Sequence, residues 1–432
     1  MREKTVGICT LGCRVNQYES DAIANELRLR GWDVRDHSDV CSVYIINTCT
    51  VTAESDRKSR QFIRRAKTVN PDAFVIVCGC YSQVKPGDIS EYADFICGTR
   101  NKSSVITAAE ALINGRKVKK TDIRPPSGLP YEDLFAPQTE RTRAFVKIED
   151  GCDGKCTYCL IRTARGSVVS RPEDDILREL EALYDAGYKE AVLTGIETCA
   201  YGRDTGTDLI SLLMRTNEIK CPQRIRLSSM DPAYLTPAVS RELSKIKNFM
   251  PHIHLSVQSG SSAVLAAMRR KYNAEMLYAN VAACRENIPG IRFSADIIAG
   301  FPGETEQDHA KTVGFLEFAN LVHAHIFPFS EREGTEAASM PGRLDKKTKA
   351  ARAADLARVQ QEINVRDAKR LEGETADVLF EENDSGYAYG HSDAFLYVRI
   401  KTSADLHGKI LNVRFDGYDK GVFDAHLTGS ER

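Results

Sequence analysis

Three cysteines spaced four and then three apart, Cys152, Cys156 and Cys159 in the run from Gly151 to Cys159, are the residues best suited to chemistry in this chain. Thiolates ligate iron and zinc well, and the intervening Gly and Asp favour turns, so the stretch predicts a loop wrapped around a metal site. A structural zinc site takes four protein ligands, and an electron-transfer iron–sulfur cluster usually takes four cysteines. Three therefore leave one metal corner open to a small molecule. A zinc knuckle completed by a remote ligand is the plainer alternative. Three further cysteines, Cys13, Cys49 and Cys80, each follow an apolar run. Cys9, Cys41, Cys78 and Cys97 lie within or beside such runs and read as packed thiols, with Cys78 a competitor to Cys80.

The elements that must position these residues alternate. Strand-like Thr5–Thr10, 43–47 and 74–78 are interleaved with helical patterns over 20–31 and 54–67, and a polar loop is expected after 78. That alternation predicts a parallel α/β sheet covered by helices, with ligands beyond the carboxyl ends of its strands, where Cys13, Cys49 and Cys80 fall. Residues 116–140, with Pro125, Pro126, Pro130 and Pro137, read as a linker. Strands are expected over 144–149, 190–194, 224–228, 252–257, 292–298 and 324–328, which suits a partial (β/α)6 relative of the TIM barrel. Its rim would carry Gly195, Ile196, Glu197, Ser228, Ser229, Gln258 and the turn Gly300, Phe301, Pro302, residues that admit a close backbone approach or bond a ribose or amino acid. Glu197 is the carboxylate singled out there, against the simpler reading of a helix cap. His252, His254, His323 and His325 are expected to be core or hydrogen-bonded histidines.

With these residues in view the chain resembles the methylthiotransferases, a family of radical SAM enzymes. The loop at Cys152 to Cys159, with Tyr158 before the last cysteine, resembles the one that holds a 4Fe-4S cluster whose free iron is chelated by S-adenosylmethionine (SAM). Cys13, Cys49 and Cys80 resemble the ligands of a second, auxiliary 4Fe-4S cluster. The resemblance places Gly195, Ile196 and Glu197 at the ammonium end of SAM, and the other rim residues around ribose, methionine or substrate. Arg162 and Val169 depart from the family's proline and arginine. The stretch Leu11 to Ser20 is most similar to the branch acting on N6-threonylcarbamoyladenosine beside the tRNA anticodon. The branches acting on isopentenyl-adenosine or on an aspartate of a ribosomal protein differ after the cysteine.

The resemblance orders the chain as an amino-terminal domain (1–125), a radical SAM core (141–372) and a small β-barrel like the TRAM domain of tRNA-modifying enzymes (373–432). In the tail, strands are expected over 375–380, 394–400, 409–415 and 422–428. It carries eleven acidic residues, Glu431 among them, against six basic, an awkward balance for a phosphate binder. Arg399 and Lys401 are its RNA-binding candidates. Arg57, Arg60 and Arg64, in a run of six basic residues among eleven, are the others, against a solvated helix face.

With 59 basic and 60 acidic residues in 432, no overall field points to nucleic acid. No apolar run approaches membrane-spanning length, so no membrane partner and a cytoplasmic location are expected, and cysteines kept reduced there favour metal binding over disulfides. The implied chemistry is radical: an electron passed into SAM gives a 5′-deoxyadenosyl radical, and a methylthio group enters at C2 of the purine, whose C–H bond no side-chain base can deprotonate. A low-potential electron donor and a sulfur source are implied partners beside the tRNA anticodon stem–loop. Sulfur insertion into a protein side chain, and a non-enzymatic iron–sulfur or RNA-binding protein, are the other classes in view.

Overall fold

The computed structural model describes residues 3–136 and 141–428. Pro137 and Glu431 lie outside the described residues. The amino-terminal part is one parallel sheet of six strands, β1 (Thr5–Thr10), β2 (Asp33–Asp36), β3 (Val43–Thr48), β4 (Phe74–Gly79), β5 (Phe95–Cys97) and β6 (Thr121–Asp122), in the order β2-β1-β3-β4-β5-β6. Every residue of β3 is buried, as befits a strand covered on both faces. Helices α1 (Arg14–Leu29), α2 (Ala53–Val69), α3 (Cys80–Val84) and α4 (Ser103–Ile113) cover it.

Three expectations need correcting. α1 begins at Arg14, not near residue 20: its N-cap Cys13 offers no side-chain cap, while Val15, Tyr18, Ala22 and Ile23 already present a buried face. A helix, α3, replaces the polar loop after β4. The segment read as a linker is partly ordered into β6, and Glu132 accepts from the N–H groups of Lys102 and Ser103 at 2.6 and 2.7 Å, capping α4.

The central part contains β7 (Arg143–Lys147), β8 (Glu149–Asp150), α5 (Ile161–Arg165), β9 (Val169–Ser170), α6 (Glu173–Asp185), β10 (Glu190–Thr194), α7 (Leu209–Thr216), β11 (Arg224–Leu227), β12 (Ser229–Met230), α8 (Pro237–Leu243), β13 (His252–Gln258), α9 (Ser262–Ala267), α10 (Ala274–Asn287), β14 (Arg292–Ala299), α11 (Glu306–Ala319), β15 (His323–Pro328) and α12 (Lys346–Leu371). The parallel strands run β7-β10-β11, then β12-β13-β14-β15. The handover falls at Ser228, between β11, paired to β10, and β12, paired to β13. This is the open partial barrel that the sequence predicts.

The tail is a closed five-stranded barrel of β16 (Thr375–Asp384), β17 (Tyr387–Ser392), β18 (Tyr397–Lys401), β19 (Ile410–Asp419) and β20 (Val422–Leu427). β18 starts later than expected because residues 393–396 form a turn, with Phe395 at φ 66°. That turn packs against the starts of the central strands. Phe395 stacks on His252 with centroids 4.5 Å apart, and the guanidinium of Arg226 lies 4.9 Å from its ring. Arg224 and Arg226 donate to the carbonyls of Asp377 and Asp393 at 2.8 and 3.1 Å. Of the histidines, His252 and His254 are buried and bonded to Ser294 at 2.9 and 2.7 Å, but His323 and His325 are exposed, their rings 4.4 Å apart.

Candidate active site between two cysteine triplets

Cys13, Cys49 and Cys80 leave the carboxyl ends of β1, β3 and β4, three adjacent strands. Their approach demands glycine at two places. Gly12 has φ +98°, and a Cβ there would lie 2.8 Å from the sulfur of Cys49. Gly79 has φ +105°, and a Cβ there would collide with the backbone of Thr48. The thiol of Cys49 is pushed up to about 12, first by burial and then by the neighbouring Cys80 and Cys13 sulfurs, while the N–H of Val51 opposes the shift. Cys78 points elsewhere: Lys102 Nζ lies 3.6 Å from its sulfur. Burial pushes the thiols of Cys9 and Cys41 up to about 12 and about 11, as suits packed side chains.

The second triplet sits in the loop after β8. Backbone N–H groups of Gly154 and Ile161 donate to the sulfurs of Cys152 and Cys159 at 3.2 and 3.4 Å, and Arg270 Nη1 donates to Cys156 at 3.3 Å. The two backbone N–H donors oppose the burial that raises the thiols of Cys152 and Cys159. Glu197 Oε2 lies 3.2 Å from Cys152 Sγ and accepts from the Asp153 N–H at 3.3 Å, while Lys271 and Arg203 pair with Oε1 at 3.3 and 3.2 Å. Burial raises this carboxyl, but those partners more than offset it and hold it below the usual carboxylate range. Glu197 also occupies the N-cap position of a short 3-10 turn without capping it through its side chain.

A cavity of about 380 Å³ opens beside the Cys152–Cys159 loop and reaches Cys13, but not Cys49 or Cys80. Cys13, Cys152, Cys156, Cys159 and Tyr158 line one part of it, and Gly195, Ile196, Glu197, Ser228, Ser229 and Gln258 line the strand-end rim. Cys80, behind Cys13, lies within electrostatic range of Cys159, so the two cysteine sets are neighbours. Gly300, Phe301 and Pro302 are absent from the wall. Phe301 is fully buried behind it, supporting Tyr158 edge to face at 6.3 Å, and the Gly300 N–H donates to Glu304. Among the described residues no three His, Cys, Asp or Glu side chains converge tightly enough to hold a single metal ion. Ligation of a cluster, which takes its thiolates at separate corners, does not require such convergence.

A buried ion network joins the two halves. Glu19 of α1 accepts from Arg165 Nη1 at 2.8 Å and Lys147 at 2.8 Å, and Lys102 lies 3.0 Å away. Asp150 accepts from Lys147 and Arg165 at 2.7 and 3.0 Å. Burial alone would raise the Glu19 carboxyl, but Arg165, Lys102 and Lys147 hold it well below the ordinary range. Arg165 also reaches Cys80, whose thiol is raised by burial and lowered by that guanidinium. A further tie runs from Arg332 to Asp56 and Thr50 at 2.6 and 2.8 Å.

Sequence reasoning missed Arg14, Asp231, Arg270, Lys271 and Asp296, all on the cavity wall. The basic triplet Arg269-Arg270-Lys271, in the connection between α9 and α10, was a usable signal, since it sets three cations side by side just after a strand end. Of the proposed RNA contacts, Arg57 pairs with Glu54, Arg60 donates to the Tyr81 hydroxyl at 2.7 Å and Arg64 lies over Tyr92 at 4.9 Å. Arg399 is paired with Asp424 at 2.7 Å, while Lys401 is exposed.

Residues 146–316 match the Radical SAM superfamily, and residues 5–98 match an uncharacterized protein family, UPF0004. The threonylcarbamoyladenosine tRNA methylthiotransferase of Bacillus subtilis (strain 168) is 36% identical over 95% of this chain and 93% of its own length. The chain belongs to the radical SAM tRNA methylthiotransferases. The Thermotoga maritima protein of the same name is 35% identical, covering 88% of this chain and 87% of that one. A relative from Thermodesulfovibrio yellowstonii, a tRNA-2-methylthio-N(6)-dimethylallyladenosine synthase, is 32% identical over 96% of both chains. In fold, this methylthiotransferase is similar to the radical SAM methyltransferase TsrM from Kitasatospora setae, with TM-score 0.55 at 15% identity over 89% of this chain and 79% of that one.

Proposed function

We propose that this enzyme inserts a methylthio group at C2 of N6-threonylcarbamoyladenosine next to the tRNA anticodon. What supports the reading above all is the cavity that Cys152, Cys156 and Cys159 share with Cys13, the exposed member of the second cysteine set, whose other members Cys49 and Cys80 are buried. When bound, two 4Fe-4S clusters and SAM supply one-electron reduction, hydrogen abstraction, sulfur and a methyl group. The chain supplies the rest. Glu197, held ionised by Lys271 and Arg203, is placed to accept from the SAM ammonium, and Gly195, Ile196, Ser228, Ser229 and Gln258 border the same ligand. Tyr158, braced by Phe301, closes the wall and keeps water from the reacting atoms. The anticodon loop must splay its base into this space, which costs least for a single-stranded nucleotide.

Residues 1–125 would hold the auxiliary cluster, 141–372 would bind SAM, and 373–432 would serve as the RNA-binding tail, with Lys401 and the Arg57, Arg60, Arg64 face as phosphate contacts. A low-potential reductant and a sulfur donor complete the partners. No described helix is long and apolar enough to cross a membrane, which suits the cytoplasmic location we infer. Mass spectrometry of tRNA nucleosides from cells with and without the gene tests the proposal: loss of the methylthiolated threonylcarbamoyl nucleoside is expected. Loss of the isopentenyl counterpart instead would favour the activity named for the Thermodesulfovibrio relative.

A further inference from the structure

The cavity wall holds five cations, and three are committed. Arg269 pairs with Glu336 at 2.6 Å, Arg270 with Asp231 at 3.1 Å and Lys271 with Glu197 at 3.3 Å. Lys155 is exposed on the cluster loop itself. Arg14 is different. It follows Cys13 directly, at the first turn of α1, and its side chain turns into the barrel lumen, where its guanidinium lies 6.0 Å from the ring of Phe145. It makes no hydrogen bond or ion pair with any described residue. Two carboxylates act on Arg14 from outside ion-pair distance, against the repulsion of Arg143 and Arg226: Glu190, which is bound to Arg226 at 2.8 Å, and Asp296, on the cavity wall, which is bound to His254 at 3.2 Å.

A half-buried guanidinium without a carboxylate, beside a carboxylate it does not touch, is a gap shaped for a ligand carrying both an anion and a donor. A threonylcarbamoyl substituent has both: a carboxylate, and a hydroxyl with urea-type N–H groups. An isopentenyl substituent has neither, and seating it there would leave the Arg14 charge desolvated and unpaired. Resting on the function proposed above, we infer that Arg14 binds the carboxylate of the substrate's threonyl group while Asp296 accepts from its hydroxyl or N–H donors. Arg14 thereby selects the threonylcarbamoyl base over the isopentenyl one, and its position next to Cys13 sets the recognised substituent beside the auxiliary cluster site.

The test uses the reconstituted holoenzyme, without reductant, and labelled anticodon stem–loops carrying N6-threonylcarbamoyladenosine, its methyl ester, or isopentenyl-adenosine. Neutralising the carboxylate as the ester is expected to weaken binding to the wild-type enzyme by roughly ten- to a hundredfold, the range for a charge-assisted bond. In Arg14→Gln the acid-to-ester ratio is expected to fall to about one, and in Arg14→Lys to an intermediate value. A purely structural role for Arg14 would weaken both RNAs alike and leave the ratio unchanged, which would overturn the inference. A wild-type ratio near one would overturn it without any variant, so a Gln protein that fails to fold does not remove the test. If the nucleoside analysis finds the threonylcarbamoyl product while that ratio is near one, only the role of Arg14 fails. If it finds the isopentenyl product, the functional reading fails with it.

Discussion

Replacing Glu19 by Gln keeps the shape of the side chain and removes one charge from the buried network between the amino-terminal sheet and the barrel. Three cations, Arg165, Lys147 and Lys102, approach this carboxylate at 2.8, 2.8 and 3.0 Å, and all four groups are buried. At an effective dielectric constant near 20, each contact is worth about 6 kcal/mol of gross attraction, most of it offset by the desolvation of both partners. Removing one member leaves Arg165 and Lys147 with Asp150 and Lys102 with no carboxylate, and breaking such a buried arrangement costs about 3–5 kcal/mol. The single tryptophan reports on the right region: Trp32 is 3% exposed in the amino-terminal core. With a urea dependence of about 2 kcal/mol per molar, the fluorescence midpoint of Glu19→Gln should fall by roughly 1.5–2.5 M. The sign of the pH dependence follows from a carboxyl depressed in the folded state. Its contribution is complete above the unfolded pKa of about 4.3 and is lost only as pH falls toward the folded value. The difference between the proteins should therefore stay constant from about pH 8 to pH 6. A midpoint shift below about 0.5 M would refute the reasoning, because the cations would then not depend on this carboxylate.

Anaerobically reconstituted Cys80→Ala should lose about four of about eight irons, whereas Cys78→Ala should retain them all; the opposite pattern would transfer the ligand role to Cys78. Glu149 is fully buried, with one carboxylate oxygen unpartnered, and burial followed by the charge of Asp150 raises its pKa well above the usual range. The folded chain therefore keeps a proton that the unfolded chain releases above about pH 4.3, so stability falls as pH rises, by up to about 1.4 kcal/mol per unit. Glu149→Gln should remove that slope, its advantage growing between pH 5 and pH 7 in urea melts; an advantage independent of pH would show that Glu149 is ionised. Lys401→Ala should reduce the slope of log affinity for tRNA against log salt by about one, and Arg399→Ala by less, because Asp424 and Asp419 already occupy its guanidinium. Equal slopes for both variants would mean that those pairs open on binding RNA.

Most of what positions the cysteines could be read from local pattern. Each of Cys13, Cys49 and Cys80 follows an apolar strand, and parallel strands deliver their trailing residues to one edge. The choice between Cys78 and Cys80 could not be read that way, since residues two apart in a strand share a face. What separates the two in space is the positive φ of Gly79, which ends the strand and starts α3 at Cys80, a backbone turn that side-chain alternation does not encode. The start of α1 was hidden because Cys13 is no ordinary cap. β17 was hidden because its glycine, Gly390, breaks the apolar alternation where the Cβ of any other residue would strike the Leu379 carbonyl. Arg14 was illegible for a different reason: what marks it is the lack of a partner, and only three-dimensional neighbours reveal that.

The turn that stacks Phe395 on His252 meets the central strands where they start, whereas the cavity lies where they end. No described residue of the tail borders the cavity, so whatever the tail holds acts on the reaction from the far side of the barrel.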